Sequence, residues 1–172
     1  TGHLVLTTIH TNDAASAFSR FLEMKVEDFI VASTINLVIA QRLVRKICAA
    51  CAKPQMLDPI VIEKLKERKD ILNLIQIQNK ASLEDIKKTK FNAGTGCDIC
   101  LGSGYDGRIG IFEFITPNKE IRDLILAHAS NDRIREAAEK AGFRSMVSDG
   151  ISKVFNGMTT FEEIMRTTKQ LY

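Results

Sequence analysis

Two Cys-x-x-Cys pairs restrict the folding of this chain more than any other feature. Cys48 and Cys51 form the first pair, Cys97 and Cys100 form the second, and 45 residues separate them. Two residues between thiolates let both sulfurs face one tetrahedral ion, and two such pairs complete a closed four-sulfur site typical of Zn²⁺. Because that site leaves no position for water, its expected role is structural. The sequence therefore predicts that the intervening segment folds back to bring the four sulfurs together.

A redox function is the competing interpretation of these cysteines. Thioredoxin-type chemistry normally uses one pair, at a strand-to-helix junction, with a lowered thiol pKa. Four unrelated thiols would not be expected to fall into two spaced pairs. Glycines follow the second pair at positions 102, 104, 107 and 110. Such residues allow turns with positive φ that bring N–H groups close to thiolate sulfurs, which favours the metal.

Basic residues surround the first pair, and two interpretations of them stay open. The residues are Arg42, Arg45, Lys46 and Lys53. A Zn²⁺ ion with four thiolates carries a net charge of −2, so nearby cations would lower the cost of holding it. The same cations could instead form a solvated basic face.

Composition and charge exclude several classes of protein. The 172 residues are 45% hydrophobic and 26% charged, as in a globular protein, and fit neither a disordered nor a fibrous chain. The net charge of +3 is too small to indicate a polyanionic partner. The longest charge-free stretch, residues 29–41, is too short and polar to span a bilayer, and no signal peptide is recognisable. We therefore expect a cytoplasmic location, and we interpret the start without Met as a cut from a longer polypeptide.

The beginning of the chain predicts a strand that ends at a ligand site. Residues 4–9 are apolar and β-branched, which indicates a strand buried on both faces of a mostly parallel sheet. A helix is expected to follow, with Asn12 or Asp13 as its N-cap. Ligands bind at the carboxyl ends of such strands, beside helix N-termini that attract phosphate. His10 is expected at such a place, and His3 flanks the strand.

The remainder of the chain is predicted to alternate between helices and strands. The expected elements are a helix at 28–40, a strand at 41–47, an inserted segment at 54–93, a strand at 108–115 and four short amphipathic helices that form a compact bundle. Within the insertion, one helix is expected to start at Asp58. A second is expected at Ser82, where Asp85 completes a capping box.

Several catalytic patterns are missing from the sequence. A P-loop needs Gly-Lys-Ser/Thr to wrap and neutralise phosphates, and the chain contains no Gly-Lys pair. No apolar strand ends in paired carboxylates that would hold Mg²⁺, and Glu113 lies inside a predicted strand, where salt bridging is expected. With all four cysteines assigned to metal, no Cys-His or Ser-His-Asp arrangement is evident. The chain alone is therefore not expected to be a nucleotide hydrolase.

Five stretches resemble the secretion ATPase superfamily, the hexameric motors of type II secretion and type IV pilus assembly. Residues 1–14 are similar to the histidine box of that family. The likeness continues through residues 40–45, the tetracysteine module, residues 104–113 and residues 158–164. It covers essentially the whole chain, although the segment between the cysteine pairs matches mainly in its position.

The resemblance implies an α/β fold, the C-terminal part of a RecA-like P-loop NTPase domain with a four-cysteine zinc insertion and a small C-terminal helical subdomain. It divides the chain into residues 1–47 as the end of the ATPase core, residues 48–115 as the zinc module and residues 116–172 as the helical subdomain. The family's Walker A and Walker B elements would precede residue 1. ATP and Mg²⁺ are thus expected only with the missing N-terminal portion, and the parent protein is expected to hydrolyse ATP while this part alone is inactive.

The resemblance also implies roles for individual residues. The histidine box of the family senses the γ-phosphate, a role that passes to His10 with His3 as a second candidate. An imidazole at this place can donate to a phosphate oxygen that exists only before hydrolysis. Four residues are expected near the nucleotide or a subunit interface: Thr11, Asn12, Gln41 and Arg42. Zn²⁺ is expected at Cys48, Cys51, Cys97 and Cys100.

Partners follow from the resemblance as well. It implies a homo-hexamer that acts on an inner-membrane platform protein, without a transmembrane segment of its own and without nucleic acid. Tetracysteine modules mark the assembly and secretion motors, whereas retraction motors generally lack them. Two alternatives remain open at this stage. Residues 97–104 resemble one zinc repeat of the Hsp40 cochaperones, a protein-binding module, and a nucleic-acid zinc ribbon would need basic residues interleaved with more aromatics than the 6% present.

Overall fold

Nine helices and four strands cover most of the part of the chain that the computed structural model describes, residues 3–168. In chain order they are α1 Ala15–Glu23, α2 Asp28–Thr34, β1 Val38–Ile47, β2 Ala52–Met56, α3 Pro59–Glu67, α4 Lys69–Asn79, α5 Leu83–Lys88, β3 Lys90–Gly94, β4 Tyr105–Ile115, α6 Lys119–Leu126, α7 Asn131–Lys140, α8 Met146–Phe155 and α9 Phe161–Thr167. The first two residues of the segment that resembles the histidine box, and the last four of the predicted helical subdomain, lie outside the described residues.

The strands form two separate pairs. β1 pairs with β4, and β2 pairs with β3 in an antiparallel hairpin. The predicted α/β class is confirmed in this mixed form. The chain divides into two compact units, and each unit combines two separate stretches of sequence. The three consecutive segments expected from the sequence stay a prediction.

The first unit, Thr1–Ala40 with Glu113–Arg144, is built from four helices. α1 and α2 pack with α6 and α7 around a shared apolar core that includes Phe18, Ile121 and Ile134. Arg122 on α6 donates to the carbonyl oxygen of Ala32 on α2. The core forms because each helix buries one apolar stripe and leaves its polar residues outside.

The second unit, Gln41–Phe112 with Ser145–Tyr172, contains the hairpin, the inserted helices, α8 and α9. Three aromatic rings join the hairpin to the last helices. Phe91 on β3 lies edge-on to Phe155 and Phe161, with ring centroids 5.4 and 5.1 Å away. Such edge-to-face pairs contribute about 0.5–1.5 kcal/mol each beyond the area they bury. The four helices expected to form one terminal bundle are therefore divided, with α6 and α7 in the first unit and α8 and α9 in the second.

The predicted strand at residues 4–9 is wrong. The structure has no strand there, and Leu4, Val5 and Leu6 are 84%, 76% and 88% exposed. A buried strand needs neighbours that accept its backbone hydrogen bonds and cover its side chains. Among residues 3–168, no strand pairs with this segment. The apolar, β-branched composition of residues 4–9 favours a strand, but the described residues supply no strand to pair with it.

The predicted helix at 28–40 is too long. α2 ends at Thr34 and β1 starts at Val38, so the strand predicted at 41–47 begins three residues earlier. β-branched side chains such as Ile35 and Ile39 lower helix propensity and favour a strand. The strand predicted at 108–115 also begins earlier, at Tyr105.

The insertion holds more structure than the sequence predicted. Both predicted helix starts are confirmed. Asp58 accepts from the N–H of Ile60, and Ser82 forms the expected capping box with Asp85. The sequence did not predict α4, which lies between these two helices, or the pairing of β2 and β3, which flank them. α4 begins directly after α3 without a side-chain cap, so it lacks the usual start signal.

Candidate metal centre

The four cysteine sulfurs meet in one cluster, as the spacing predicts. All four Sγ atoms lie within 4.8 Å of one another. The Sγ atoms of Cys48 and Cys97 are 3.9 Å apart, those of Cys51 and Cys100 are 3.8 Å apart, and those of Cys97 and Cys100 are 3.7 Å apart. A tetrahedral Zn²⁺ with Zn–S distances of about 2.3 Å places its sulfurs about 3.8 Å apart. The cysteines are free thiols, and the donor set fits a structural Zn²⁺.

The hairpin is what brings the two pairs together. β1 ends at Ile47, one residue before the first pair, and β2 begins at Ala52, one residue after it. Ala52 lies opposite Gly94 in the antiparallel register, and the second pair follows Gly94 by three residues. The Thr95 N–H donates to the carbonyl oxygen of Cys51 at 3.1 Å, which extends the hairpin toward the cluster. The three helices of the insertion therefore loop out between two paired strands.

Backbone N–H groups stabilise the sulfur of Cys100. Those of Cys97 and Gly104 donate to it at 3.2 and 3.3 Å. Burial alone would raise the pKa of Cys100, but these hydrogen bonds outweigh it and lower the pKa to about 6. At Cys48 burial dominates and raises the pKa to about 11. Because zinc binds thiolates, these two N–H donors prepare the sulfur of Cys100 for coordination.

Three of the four glycines expected to have positive φ do so, whereas Gly110 is an ordinary residue of β4. Gly102, Gly104 and Gly107 all have positive φ, with values of 77°, 74° and 72°. Gly104 is also crowded, since a Cβ there would lie 2.6 Å from the carbonyl oxygen of Gly94. The absence of a side chain at Gly104 therefore lets its N–H reach the sulfur of Cys100.

Replacing Gly104 by alanine is expected to weaken metal retention. The substitution Gly104→Ala places a Cβ at positive φ and against backbone, at a cost of about 1–3 kcal/mol. Gly107→Ala is the matched control, because Gly107 has a φ of +72° and no atom within 4 Å of the added Cβ. A chelator competition that follows zinc release should show faster loss from Gly104→Ala than from Gly107→Ala. Equal release from the two variants would show that the close approach to Gly94 is unimportant.

Two of the four basic residues near the first pair contact residues other than the cysteines. The guanidinium of Arg45 donates to Glu163 at 2.7 Å and lies over the ring of Tyr105, 4.2 Å from its centroid. Arg42 donates to the carbonyl oxygen of Thr167 at 2.7 Å. These contacts anchor β1 to α9, while Lys46 and Lys53 are exposed. Of the two interpretations, the contacts of the arginines favour a role in packing over charge compensation at the cysteines.

The predicted histidine residues lie in an irregular segment. His3 and His10 are exposed, as is Asn12, and Thr11 is half-buried with its hydroxyl donating to the carbonyl oxygen of Asp13 at 3.0 Å. Within residues 3–168, the four cysteines are the one group of three or more His, Cys, Asp or Glu side chains placed to hold a metal ion. His3 and His10 do not belong to that group. Gln41 is exposed, and the roles of Gln41 and Arg42 toward a nucleotide or a subunit stay predictions.

Charged side chains fix the start of α1 directly after the histidine segment. The N-cap is Ala14 and not Asn12 or Asp13 as predicted, but the Asp13 carboxylate still accepts from the N–H of Ser16 in the first turn at 2.8 Å. Its other oxygen pairs with Arg135 on α7 at 2.8 Å. Glu113, which is 1% exposed, accepts from the N–H of Ala14 at 2.7 Å. Sequence reasoning missed Arg135, since only the fold brings it to Asp13.

None of the helices among residues 3–168 is long and apolar enough to cross a membrane.

Comparisons with known proteins place nearly the whole chain in one family. The family described as "Type II/IV secretion system protein" matches residues 1–166. The chain is 37% identical over 168 residues to the type IV pilus assembly ATPase PilB of Thermus thermophilus, covering 98% of this chain and 17% of that protein. It is 39% identical over 169 residues to the type II secretion system protein E of Xanthomonas campestris, covering 98% of this chain and 27% of that protein. The chain therefore spans less than a third of the length of these relatives.

Proposed function

The chain belongs to the type II/IV secretion system protein family, and from this membership we propose that it is part of a hexameric ATPase that powers type IV pilus assembly or type II protein secretion. The observation that carries the proposal is the family match from residue 1 to residue 166. Relatives named as a pilus assembly ATPase and as a secretion system protein each match 98% of the chain. In this proposal, a P-loop outside this chain binds ATP and Mg²⁺, because the chain itself has no Gly-Lys pair.

The four cysteines give the motor a structural zinc module. The sulfur separations and the N–H donors to Cys100 support this role. Bound zinc would supply no reactive position, since four thiolates close its coordination. Its effect is to hold the two cysteine pairs at the end of the β2–β3 hairpin as one rigid element of the motor.

His10 supplies the γ-phosphate sensor in this proposal. Its imidazole is exposed, and the chain is anchored three residues later, where Asp13 accepts from the first turn of α1 and pairs with Arg135. An exposed donor next to a fixed helix start can bind a phosphate oxygen and transmit its loss to the helix. His3 is the second candidate for this role. The RecA-like core that would receive the nucleotide is part of the same proposal.

The motor acts at the cytoplasmic side of the inner membrane through a platform protein. We infer this location and this partner from the family resemblance alone, and the small net charge of +3 gives no support to a nucleic-acid partner. The exposed apolar residues 4–6 offer a surface for further contacts within the assembled motor.

Steady-state ATP hydrolysis tests the proposal. The isolated chain is expected to hydrolyse no ATP above background. In the full-length parent protein, His10→Ala is expected to lower kcat about 10²-fold with little change in KM. The reason is that the lost imidazole would donate to charge on the γ-phosphate in the transition state. His128→Ala serves as the control, since His128 lies exposed at the end of α6, 3.2 Å from Asp28.

Two results would contradict the proposal. Turnover by the isolated chain that His10→Ala abolishes would mean that the chain holds its own hydrolytic site. An equal loss of kcat in His10→Ala and His128→Ala would mean that His10 has no special part in turnover.

A further inference from the structure

Two apolar side chains project from the second cysteine pair into solvent. Ile99 is 68% exposed and Leu101 is 90% exposed. Leu101 is the most exposed large hydrophobic residue in the described part of the chain. Both lie in a turn that ligand cysteines hold at Cys97 and Cys100, so these side chains sit on a braced loop. We call residues 98–101 the knuckle tip.

The backbone at Leu101 is unfavourable for leucine. Its φ is +52°, in the left-handed region that bulky side chains rarely occupy, and Gly102 follows with a φ of +77°. Glycine or asparagine would adopt this conformation more easily. Leu101 therefore combines a backbone cost with almost full exposure of an apolar side chain. Since burial among the described residues offsets neither cost, a contact with another molecule explains the residue.

A shallow hollow of about 430 Å³ lies beside the knuckle tip. Its lining residues are Thr95, Gly96, Cys97, Asp98, Leu101 and Gly102. Two of these are glycines, so backbone is accessible in the floor of the hollow. A partner that covers Leu101 can therefore also insert a side chain beside it.

The one charged side chain of the knuckle tip is acidic. Asp98, which is exposed, is the one Asp, Glu, Lys or Arg side chain among residues 95–104. Four thiolates with a divalent ion would add a charge of −2. Two exposed bases flank the first cysteine pair: Lys46 lies on β1, and Lys53 lies opposite Ala93, before this loop begins. An apolar tip that carries an acidic side chain favours a protein surface with basic residues over an anionic bilayer.

We propose that the knuckle tip is a docking element, in which Ile99 and Leu101 enter an apolar pocket ringed by Lys or Arg on another polypeptide. Asp98 pairs with that basic rim. This interaction goes beyond the proposed ATPase function, because it concerns only the zinc module and needs no nucleotide. Burying one leucine side chain at such a contact corresponds to about a tenfold or larger change in affinity.

A designed peptide pair tests the docking element on the zinc-loaded chain. One fluorescent probe is an amphipathic helix of leucine and lysine, and the other has glutamate at every lysine position. Fluorescence anisotropy should show saturable binding of the lysine probe and much weaker binding of the glutamate probe. Leu101→Gly and Leu101→Asn should each lower the affinity about tenfold or more, and Asp98→Lys should shift the preference toward the glutamate probe. Ile77→Asn is the control, because Ile77 is 76% exposed on α4, outside the knuckle tip.

The stability of the same variants separates docking from a structural role. Leu101→Gly should keep one zinc per chain and an unchanged or higher Tm, since glycine relieves the positive φ. Loss of zinc or of Tm in Leu101→Gly would overturn the proposal, as would equal binding of both probes or undiminished binding by the Leu101 variants. Leu101-dependent binding to vesicles of phosphatidylcholine and phosphatidylglycerol, stronger than to the lysine probe, would also overturn it in favour of a lipid surface.

Discussion

Removing zinc from the four-cysteine site is expected to unfold the end of the β2–β3 hairpin while leaving much of the chain folded. Structural zinc in small modules contributes apparent binding free energies on the order of 10 kcal/mol. The two cysteine pairs, from Cys48 to Cys51 and from Cys97 to Cys100, contain no regular strand or helix of their own. Without the ion, nothing links the four sulfurs, and little apolar burial replaces the metal.

Loss of structure should follow a gradient along the hairpin. At its cysteine end the hairpin is joined by the Thr95 N–H, which donates to Cys51. At its other end Phe91 packs on Phe155 and Phe161, contacts that need no metal. Hydrogen exchange after chelation should therefore become fast at Thr95 and Gly104 first, and stay slow around Phe91. The buried residues of α3 and α4, such as Leu65 and Ile75, should keep their protection.

Metal analysis and a matched pair of variants check this expectation. The purified chain should contain one zinc per chain, Cys100→Ser should lose it, and Asp98→Asn should keep it, because Asp98 is exposed in the same turn and contributes no sulfur. A chain that lacks zinc yet shows slow exchange at Thr95 and Gly104 would contradict a structural role for the metal.

The features predicted correctly from the sequence are those with a local cause. The cysteine spacing encodes the ligand geometry directly, so the cluster could be predicted before the fold was known. Helix caps are equally local. Asp58 and Ser82 each accept the backbone hydrogen bond that the pattern predicts. In each case the interacting atoms lie within four residues along the chain.

Three of the errors concern features that depend on distant partners. Residues 4–9 have a strand composition, but a strand exists only where a neighbour pairs with it. The pairing of β2 with β3 was missed because Pro54 and Gln55 give no apolar alternation, and because β3 lies more than 30 residues further on. The contact between Asp13 and Arg135 spans 122 residues and has no sequence signal. Sequence alone thus identified the ligands of the metal site but not the paired strands β2 and β3 that bring them together.

Glu163→Gln is expected to destabilise the second unit by about 2–3 kcal/mol near neutral pH, because the carboxylate of Glu163 is buried and receives several charged donors. It is 1% exposed on α9. Arg45 donates from its backbone N–H at 2.9 Å and from its guanidinium at 2.7 Å, and Arg166 donates to both carboxylate oxygens at 3.0 and 2.8 Å. The side chains of the two arginines are about half exposed, so water solvates their charges in part when the carboxylate is removed. The expected loss of stability is therefore smaller than for a fully buried ion pair.

The same contacts make this contribution depend on pH. Burial alone would raise the pKa of Glu163, but the hydrogen bonds from Arg166 and Arg45 outweigh it and lower the pKa to about 2. An unfolded glutamate titrates near about 4.3, so the folded state holds its carboxylate more strongly than the unfolded state. The stabilisation is therefore complete above about pH 4.3 and is lost as the pH falls toward about 2.

Urea unfolding of the wild type and of two variants across this pH range measures the effect. The stability difference between wild type and Glu163→Gln should be largest at about pH 7 and should shrink below about pH 4. At low pH the Glu163 carboxyl of the wild type takes up a proton and becomes neutral, like the amide of the variant. Glu162→Gln removes the same charge from the exposed neighbouring residue and should change stability by less than about 0.5 kcal/mol at every pH. A Glu163→Gln deficit that stays constant from neutral to acidic pH would mean that Glu163 stabilises the unit by packing and not by its charge. A deficit no larger than that of Glu162→Gln would mean that the contacts of Glu163 with the two arginines contribute nothing measurable, and that other contacts hold α9 to β1.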